Sequence, residues 1–554
     1  MIRTSRVILS VIVSLLYSVA YAVLGPMTAS QDFSLHKSQI LSFAICFVIC
    51  FFVNYTLFAF IPKLRFAKTD AALSRFFGRF NPRVLFGLTW LFIFICWVPV
   101  FLLTFPGVLS YDIISQVSSA LTVINSNHHP VLHTWLLRVF MSFGKAVLGR
   151  YEYGLGFLSL LQMVLLSYAL TRFIFLLRSK KVSSLLVLLT AIISAIWYTN
   201  AVMSVTMVKD TLHAAFFVLF VCHFTEIVTV PGEYFSKKIN LFLLPLVSFF
   251  MFATRNNGLH IYLFCFFILF LVRIVGIIRS RKVGACVVPA VVIIIPVILF
   301  KIYSGPVFAA LGIEQGDIRE AFSVPIQQLQ RVDVMHYDEL TPEQIATLES
   351  YIVDAPDWMC DVRNRAYDPF FADPAKGWFY TAQYNQSPAA FWKFYIKTGL
   401  QFTKTYLESF LSGTLDYWYP GHYRWSYVMY DDYPAEQFAE VTEPLTRIGL
   451  VHSSSLDNFY RELCLSDSWR DIPVIRFAFV PAFSTWLLLY ALILSWRKKG
   501  YFTKILPLFL PLIAQFGIMI LCPIASFRYS WPLCLVIPIA FFTIWKKEET
   551  PDEI

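Results

Sequence analysis

Long apolar segments recur along this chain of 554 residues, and they constrain its fold more than any other feature. Hydrophobic residues make up 58% of the chain and charged residues 14%, and the mean hydropathy is +0.63. A helix of about 20 apolar residues is long enough to cross the hydrocarbon core of a bilayer. The sequence therefore predicts an all-α polytopic membrane protein and excludes a water-soluble fold.

Twelve segments meet the length and composition expected of a membrane span. They are residues 7–24, 39–61, 84–104, 154–177, 183–200, 211–229, 241–254, 258–279, 284–303, 474–496, 503–523 and 530–545. An additional apolar helix at 131–148 carries Arg138 and Lys145, and as a span it would invert all later connections. We therefore expect this helix to lie at the outer membrane surface.

Lys and Arg residues cluster at alternate ends of these spans, whereas residues 105–130 contain neither. Basic flanks stay on the cytoplasmic side, so we expect cytoplasmic N- and C-termini in the plasma membrane. The formal net charge of +10 is concentrated at that side. We therefore expect these basic residues to contact anionic membrane lipids and not nucleic acid.

Three regions follow from this arrangement. Residues 1–303 form an N-terminal transmembrane module whose long outer loop is 105–153, and residues 474–554 hold the last spans and a short cytoplasmic tail. Residues 304–473 contain 12 Lys and Arg against 24 Asp and Glu and predict a small, mostly helical, extracytoplasmic domain. Helices are expected there at 341–353, opened by Thr341-Pro342, and at the aromatic-rich 389–412. The aromatic residues of this domain fit either contact with the membrane interface or stacking on a sugar.

Two features of the covalent chain stay open. The first span ends in Ala20-Tyr21-Ala22, which fits either a membrane anchor or a cleaved signal peptide. Eight of the ten cysteines lie in spans, where they serve as small apolar residues. Cys360 and Cys464 lie in the predicted outer domain and fit a disulfide, although no spacing motif requires one.

The polar residues that the membrane should disfavour all fall at the outer ends of the spans. Ionisable groups near a bilayer are costly, and their presence indicates function. They come from separate connections and are Asp112, His128, His129, Lys209, Asp210, Arg255 and Arg528.

Asp112 is the candidate catalytic residue of this group. Its carboxylate fits either an N-cap of the next helix or a base that takes a proton from an acceptor hydroxyl. Gln116 shares its helical face, and His128 and His129 follow, so we assign these three to substrate binding. A second interpretation is a metal site, in which Asp112 and Asp210 are ligands of a divalent ion such as Mg²⁺ or Mn²⁺. The sequence does not require a cofactor.

The outer cations indicate an anion site. Lys209 beside Asp210 fits a local ion pair or a point-charge ligand for phosphate. Arg255 with Asn256, and Arg528 with Tyr529, offer guanidinium groups suited to phosphate. The three cations on one face therefore predict binding of a lipid-linked phosphate or pyrophosphate.

A known family shares these motifs. PGVLSYDIISQ with the following HHP, then KDTL, RNNG, the IQQLQR and LTPEQ segments, and the late FRYSWPL resemble bacterial multi-pass membrane proteins of the GT-C glycosyltransferase superfamily. The resemblance runs from about residue 84 onward and is to a branch related to protein O-mannosyltransferases and aminoarabinose transferases.

The resemblance implies a GT-C-like fold and an inverting transferase that takes a sugar from a polyprenyl-phosphate donor in the cell envelope. The acceptor is a glycan, lipid or protein on the outer face. The matching residues would be Asp112 as the base, Arg255 and Arg528 at the donor phosphate, and Asp210 as a second acid. Asp210 departs from the family pattern because it stands beside Lys209. A transporter or flippase of lipid-linked glycans is the alternative, and a non-catalytic scaffold is another.

Overall fold

The structure is a computed structural model that describes residues 3–64, 66–108, 111–279, 286–352, 367–422, 480–522 and 524–545. Within these ranges the chain is helical and forms no β-strand, only isolated bridges. The helices of the N-terminal part are α1 (Arg3–Val19), α2 (Gly25–Ser30), α3 (Lys37–Phe60), α4 (Ala67–Gly78), α5 (Pro82–Thr104), α6 (Tyr111–Leu121), α7 (Val131–Leu148), α8 (Tyr151–Ser179), α9 (Ser184–Ile196), α10 (Tyr198–Val205), α11 (Lys209–Thr229), α12 (Pro231–Ser236), α13 (Lys238–Thr254), α14 (Asn257–Arg279) and α15 (Val287–Ile302).

The later helices are α16 (Phe308–Ala310), α17 (Ser323–His336), α18 (Pro342–Tyr351), α19 (Asp373–Gly377), α20 (Thr381–Gln386), α21 (Pro388–Gln401), α22 (Thr403–Gly413), α23 (Ala482–Trp496), α24 (Leu506–Met519), α25 (Phe527–Val536) and α26 (Ile539–Ile544). Short π and 3₁₀ turns extend several of them, so that α1 and α2 form one continuous helical stretch from Thr4 to Ser30.

Ten helical segments among the described residues are long and apolar enough to cross a membrane. Nine coincide with predicted spans, and the tenth is α7. The other three predicted spans are also helical, but α13 and the described part of the 474–496 segment (α23) are shorter, and the 183–200 segment is bent. The chain is therefore a multi-pass helical membrane protein.

The bend divides the predicted 183–200 span into α9 and α10, whose axes differ by 52°. Asn200 explains how the break is tolerated, because its side-chain amide donates to the Ser194 carbonyl at 3.2 Å. That carbonyl lies in the last turn of α9, where helical acceptors lack partners within the helix. A short polar segment, Tyr198-Thr199-Asn200, thus replaces the continuous span that its apolar neighbours predict.

The position of α7 at the outer surface stays a prediction, because α7 is also long and apolar enough to cross a membrane. α8 has 29 residues and is therefore about 43 Å long, more than a bilayer core requires. Ser159 of α8 donates to the Pro106 carbonyl just beyond α5 at 2.8 Å, so the first turns of α8 extend past the end of α5. Close packing of Gly144 against Gly154 joins α7 to these turns.

The described part of the predicted outer domain has its own hydrophobic core, which includes Phe322, Ile326 and Phe391. The predicted helix at 341–353 is confirmed as α18, with Thr341 and Gln344 forming a capping box. The single helix expected at 389–412 is wrong, because the chain turns at Phe402 between α21 and α22. Tyr406 then packs back on α21 and donates to the Tyr395 carbonyl at 3.0 Å. Cys360 and Cys464 lie outside the described residues.

Candidate functional site

Backbone hydrogen bonds join the loop at residues 105–108, directly after α5, to the loop at residues 205–208. We call this pair of loops the clamp, and it positions the first part of the site. The Val108 N–H donates to the Val205 carbonyl at 3.0 Å, and the Met207 N–H donates to the Val108 carbonyl at 2.8 Å. Gly107 permits this contact because its φ is +143° and a Cβ atom would meet the Val205 oxygen at 2.7 Å. The clamp brings the start of α6 beside the start of α11.

Asp112 lies in the first turn of α6 and binds two cations from distant parts of the chain. Lys209 Nζ lies 3.0 Å from its Oδ2 atom, and Arg528 Nη1 donates to the same oxygen at 3.2 Å. Both cations therefore share one carboxylate oxygen. Its sequence position suggests a helix cap, but in the structure the Asp112 carboxylate pairs with two cationic side chains.

Arg255 joins the cluster through Asp210 and Tyr529. Its guanidinium forms an ion pair with Asp210, whose side chain is 1% exposed. The guanidinium carbons of Arg255 and Arg528 lie 4.6 and 4.8 Å from the centre of the Tyr529 ring, and Arg528 Nη2 also donates to the Tyr529 hydroxyl at 2.8 Å. Tyr529 thus contacts both arginines and stabilises both through cation–π contact.

The charged side chains come from the N-terminal ends of four helices. Asp112, Lys209, Arg255 and Arg528 belong to or directly precede the first turns of α6, α11, α14 and α25. A helix N-terminus carries a partial positive charge and disfavours cations there. The placement of Lys209 and Arg528 therefore does not serve the stability of their own helices, and it concentrates positive potential where an anion binds well.

The cluster is charged and accessible. Its three cations and two carboxylates leave one positive charge in excess, and Lys209, Arg255 and Arg528 have side chains that are 17, 13 and 23% exposed. Burial alone would raise the pKa of Asp112, but Lys209 and Arg528 outweigh it and hold that pKa below its usual range. Asp112 is therefore an anion at neutral pH.

His129 lies beside the cluster, and His128 is exposed next to it. His129 Nδ1 lies 3.4 Å from Lys209 Nζ, and His129 Nε2 lies 3.2 Å from Ser115 Oγ. Burial and the charge of Lys209 lower the pKa of His129 to about 3, so the ring is neutral and able to accept a hydrogen bond. His128 is exposed and contacts the edge of the His129 ring.

The structure shows no contact of Gln116 or Asn256 side chains with the charged groups of the cluster. Gln116 is fully buried, and its Oε1 atom lies 2.5 Å from His133 Nδ1, so it packs α6 on α7 rather than facing a ligand. Asn256 is exposed beside Arg255. Ser115 and His133 had not been predicted, although Ser115 falls three residues after Asp112 and His133 follows the HHP segment.

The residues present do not fit a divalent metal ion. Among the described residues, no group of three or more His, Cys, Asp or Glu side chains is placed to hold one. Asp112 and Asp210, the two ligands expected from sequence, are each bound to cations. A further divalent cation would add to an existing positive excess, which is electrostatically unfavourable.

The fold and the site together define a class: a multi-pass helical membrane protein with a positively charged cluster at one end of its helices. More specifically, the chain belongs to a protein family of unknown function, DUF6020, whose model matches residues 121–553. Lys209, Asp210, Arg255 and Arg528 fall inside the matched region, and Asp112 falls before it. No curated protein and no solved structure matches the chain.

Proposed function

We propose that this protein is an integral membrane glycosyltransferase that moves a sugar from a polyprenyl-phosphate donor to an acceptor on the outer face of the membrane. The observation that carries the proposal is the partly exposed cluster of Lys209, Arg255 and Arg528 around Asp112. A cationic site beside a carboxylate at the ends of membrane helices suits a phosphate that arrives through the bilayer. The resemblance to the GT-C superfamily supports the same reaction.

The charge of the cluster suits this donor. A sugar linked to a lipid through one phosphate is a phosphodiester with one negative charge, which balances the single positive excess. Guanidinium groups bind such oxygens through paired N–H donors, and an ammonium group adds a point charge. As the phosphate leaves, its negative charge increases, so the same groups bind the departing phosphate more tightly than the donor.

In the proposed reaction, Asp112 accepts the proton of the acceptor. The hydroxyl oxygen of the acceptor bonds to the anomeric carbon, the bond from that carbon to the phosphate oxygen breaks, and the hydroxyl proton passes to the carboxylate. The lipid phosphate keeps the bonding electrons. Since both cations bind Oδ2, Oδ1 is the oxygen best placed to receive the proton.

Donor binding should also make Asp112 a better base. The lowered pKa of Asp112 arises from Lys209 and Arg528, which overcome the opposing effect of burial. A donor phosphate competes for the same two cations and weakens their hold on the carboxylate. The pKa of Asp112 then rises towards the range in which a carboxylate accepts a proton efficiently.

The test is sugar transfer by the purified protein in proteoliposomes, with a panel of polyprenyl-phosphate sugars, a cell-envelope extract as the source of acceptor hydroxyls, and mass analysis of the extracted lipid. Wild-type protein should convert one donor to free polyprenyl phosphate. Asp112→Asn should reduce the rate by about 10² to 10⁴ because a general base is lost. Donor binding by this variant should persist or tighten, since the competing carboxylate is neutralised.

The matched control is Asp338→Asn, which removes an exposed carboxylate in the outer part of the chain and should leave the rate unchanged. A flippase would move the lipid-linked sugar without changing its mass. Near-normal turnover by a folded Asp112→Asn protein would exclude Asp112 as the base, and donor translocation without release of polyprenyl phosphate would favour the transport reading.

A further inference from the structure

A cavity with a volume of about 380 Å³ lies among α4, α5, α8 and α9. Its walls are largely apolar and include Leu85, Ile174, Val182, Val187, Leu188 and Ala191. This volume falls in the range of about 300 to 1,000 Å³ that small-molecule pockets occupy. Apart from α4, its walls come from helices with the length or composition of membrane spans, so an apolar chain suits it.

The cavity lies at the end of the helix bundle opposite the charged cluster. Ser159 marks the cluster end of α8 because it bonds to the loop that follows α5. Arg178, which lines the cavity, is 19 residues further along α8, or about 28 Å at the rise of an α-helix. That distance is close to the hydrocarbon thickness of a bilayer, about 30 Å, so the two sites face opposite membrane surfaces.

The short helix α4 covers one side of the cavity and is fixed to α9. The buried Asp70 carboxylate accepts from the Ser183 hydroxyl at 2.8 Å and from the Leu185 N–H at 3.0 Å, and the Ser74 and Ser184 hydroxyls are 2.7 Å apart. The outward face of α4 exposes Arg75 and Phe76. Basic and aromatic side chains on one short helix are typical of a helix that lies in the lipid headgroup region.

Two cations, Arg178 and Lys181, line the cavity beside its apolar walls. They belong to the turn that ends α8, in which the Lys181 N–H donates to the Arg178 carbonyl at 3.0 Å and the Val182 N–H donates to the Leu177 carbonyl at 3.2 Å. This pattern is a Schellman motif, whose left-handed position usually holds glycine.

Lys181 occupies that left-handed position with a φ of +59°. A residue other than glycine pays an energetic penalty there of about 1 to 2 kcal/mol. The lysine is therefore unfavourable for the turn itself, and its charge at the cavity supplies a reason for its presence. The Arg178 guanidinium lies 5.8 Å from the Phe175 ring centre, which orients a second cation at the same place.

We propose that this cavity binds an anionic glycerophospholipid of the cytoplasmic leaflet, with the headgroup phosphate held by Arg178 and Lys181. One acyl chain lies against Leu85, Val187 and Ala191. Charge complementarity selects the anionic headgroup, and the apolar walls select a lipid rather than a soluble phosphate compound. The site is separate from the proposed donor site and does not depend on it.

The experiment compares phosphatidylglycerol with phosphatidylcholine bound to the purified full-length protein, by native mass spectrometry and by the change in melting temperature. Wild-type protein should retain phosphatidylglycerol selectively and melt at a higher temperature with it. Each cation near a lipid surface contributes about fivefold in affinity, so Arg178→Ala and Lys181→Gly should each weaken the selective binding by about that factor.

Lys181→Gly is the sharper variant because glycine favours the left-handed backbone. It should keep or raise the melting temperature without added lipid, while its stabilisation by phosphatidylglycerol should be weaker than that of wild-type protein. Arg279→Ala is the matched control, since it removes an exposed cation at the end of α14, away from the cavity, and should leave selectivity unchanged. Ala191→Phe, which fills the cavity, should reduce lipid binding with both cations intact.

Three outcomes would overturn the proposal. Equal losses in Lys181→Gly and Arg279→Ala would indicate diffuse attraction to the membrane surface instead of a site. Equal binding of the two lipids by wild-type protein would remove the anionic selectivity. Protection by soluble glycerol phosphate as strong as that by phosphatidylglycerol would identify a site for a soluble phosphate.

Discussion

At the scale of single residues, two side chains of the cluster each contact two cations. Asp112 serves two cations, and Tyr529 serves two arginines. Arg528 contacts both Asp112 and Tyr529, so it links the Asp112–Lys209 pair to the Tyr529–Arg255 pair. Its removal leaves Asp112 paired with Lys209, and the fold should therefore survive the change.

Arg528→Ala should weaken binding of polyprenyl phosphate by about 10- to 100-fold, the usual effect of losing hydrogen bonds to a charged group. The measurement is the Kd for polyprenyl phosphate in detergent or nanodiscs. Lys393→Ala, which removes an exposed cation from α21, is the control and should leave the Kd unchanged. An unaltered Kd in a folded Arg528→Ala protein would show that the anion binds elsewhere.

His129 makes the stability of the protein sensitive to mild acid. Its pKa is about 3 in the folded protein against an ordinary value of 6.5. Between these values the unfolded chain binds a proton that the folded protein does not, so stability falls as pH decreases through that window. The slope for one such group reaches about 1.4 kcal/mol per pH unit.

The corresponding measurement is the melting temperature at about pH 7 and about pH 5, values that span the ordinary titration of histidine. The decrease should be smaller in His129→Gln than in wild-type protein. His128→Gln, which changes an exposed ring, should behave as wild type. The same pH dependence in His129→Gln and wild-type protein would contradict the assignment.

At the scale of helices and loops, the clamp between residues 105–108 and 205–208 determines where Asp112 and Lys209 meet. The sequence predicts α5, α6 and α11 next to it, because each depends on a local apolar run or cap, but it does not predict α10. It does not predict the clamp, because Val108 and Val205 are paired only after the helices have packed. Gly107 is the one local signal.

Gly107→Ala should lower both stability and sugar transfer. The new Cβ would meet the Val205 carbonyl oxygen at 2.7 Å, and the positive φ of residue 107 disfavours any residue other than glycine. Thermal melting and the transfer assay measure the two effects. Gly87→Ala is the control: it lies inside α5 with no atom within 4 Å of its added Cβ, and it should be neutral or stabilising by up to about 1 kcal/mol. A fully active Gly107→Ala protein would show that the clamp does not position the site.

The limits of prediction differ among the helices. α18 was predictable because Thr341, Pro342 and Gln344 define its start locally. The bend after Ile196 and the turn at Phe402 were not, since they depend on Asn200 reaching back to Ser194 and on Tyr406 packing against Tyr395. The charged residues of the site were predictable as a set from their position at span ends, but their pairing required the order of helices in the bundle.

At the scale of the whole molecule, the distribution of charge predicts which side of the membrane each site faces. Lys393 on α21 should be extracytoplasmic and Arg79 after α4 should be cytoplasmic. A membrane-impermeant maleimide applied to intact cells should label Lys393→Cys above the background of the native cysteines and should not label Arg79→Cys. The opposite pattern would reverse the topology and exchange the faces assigned to the two sites.

The contact between Asp112 and Arg528 also bears on how the protein is made. The two residues are 416 positions apart, and Arg528 lies in the first turn of the last long apolar segment among the described residues. During translation, Asp112 and Lys209 leave the ribosome long before their third partner. A nascent chain that stops before residue 528 has most of the described membrane helices but lacks the arginine that completes the cluster, so the proposed anion site can form only after residue 528 has been added.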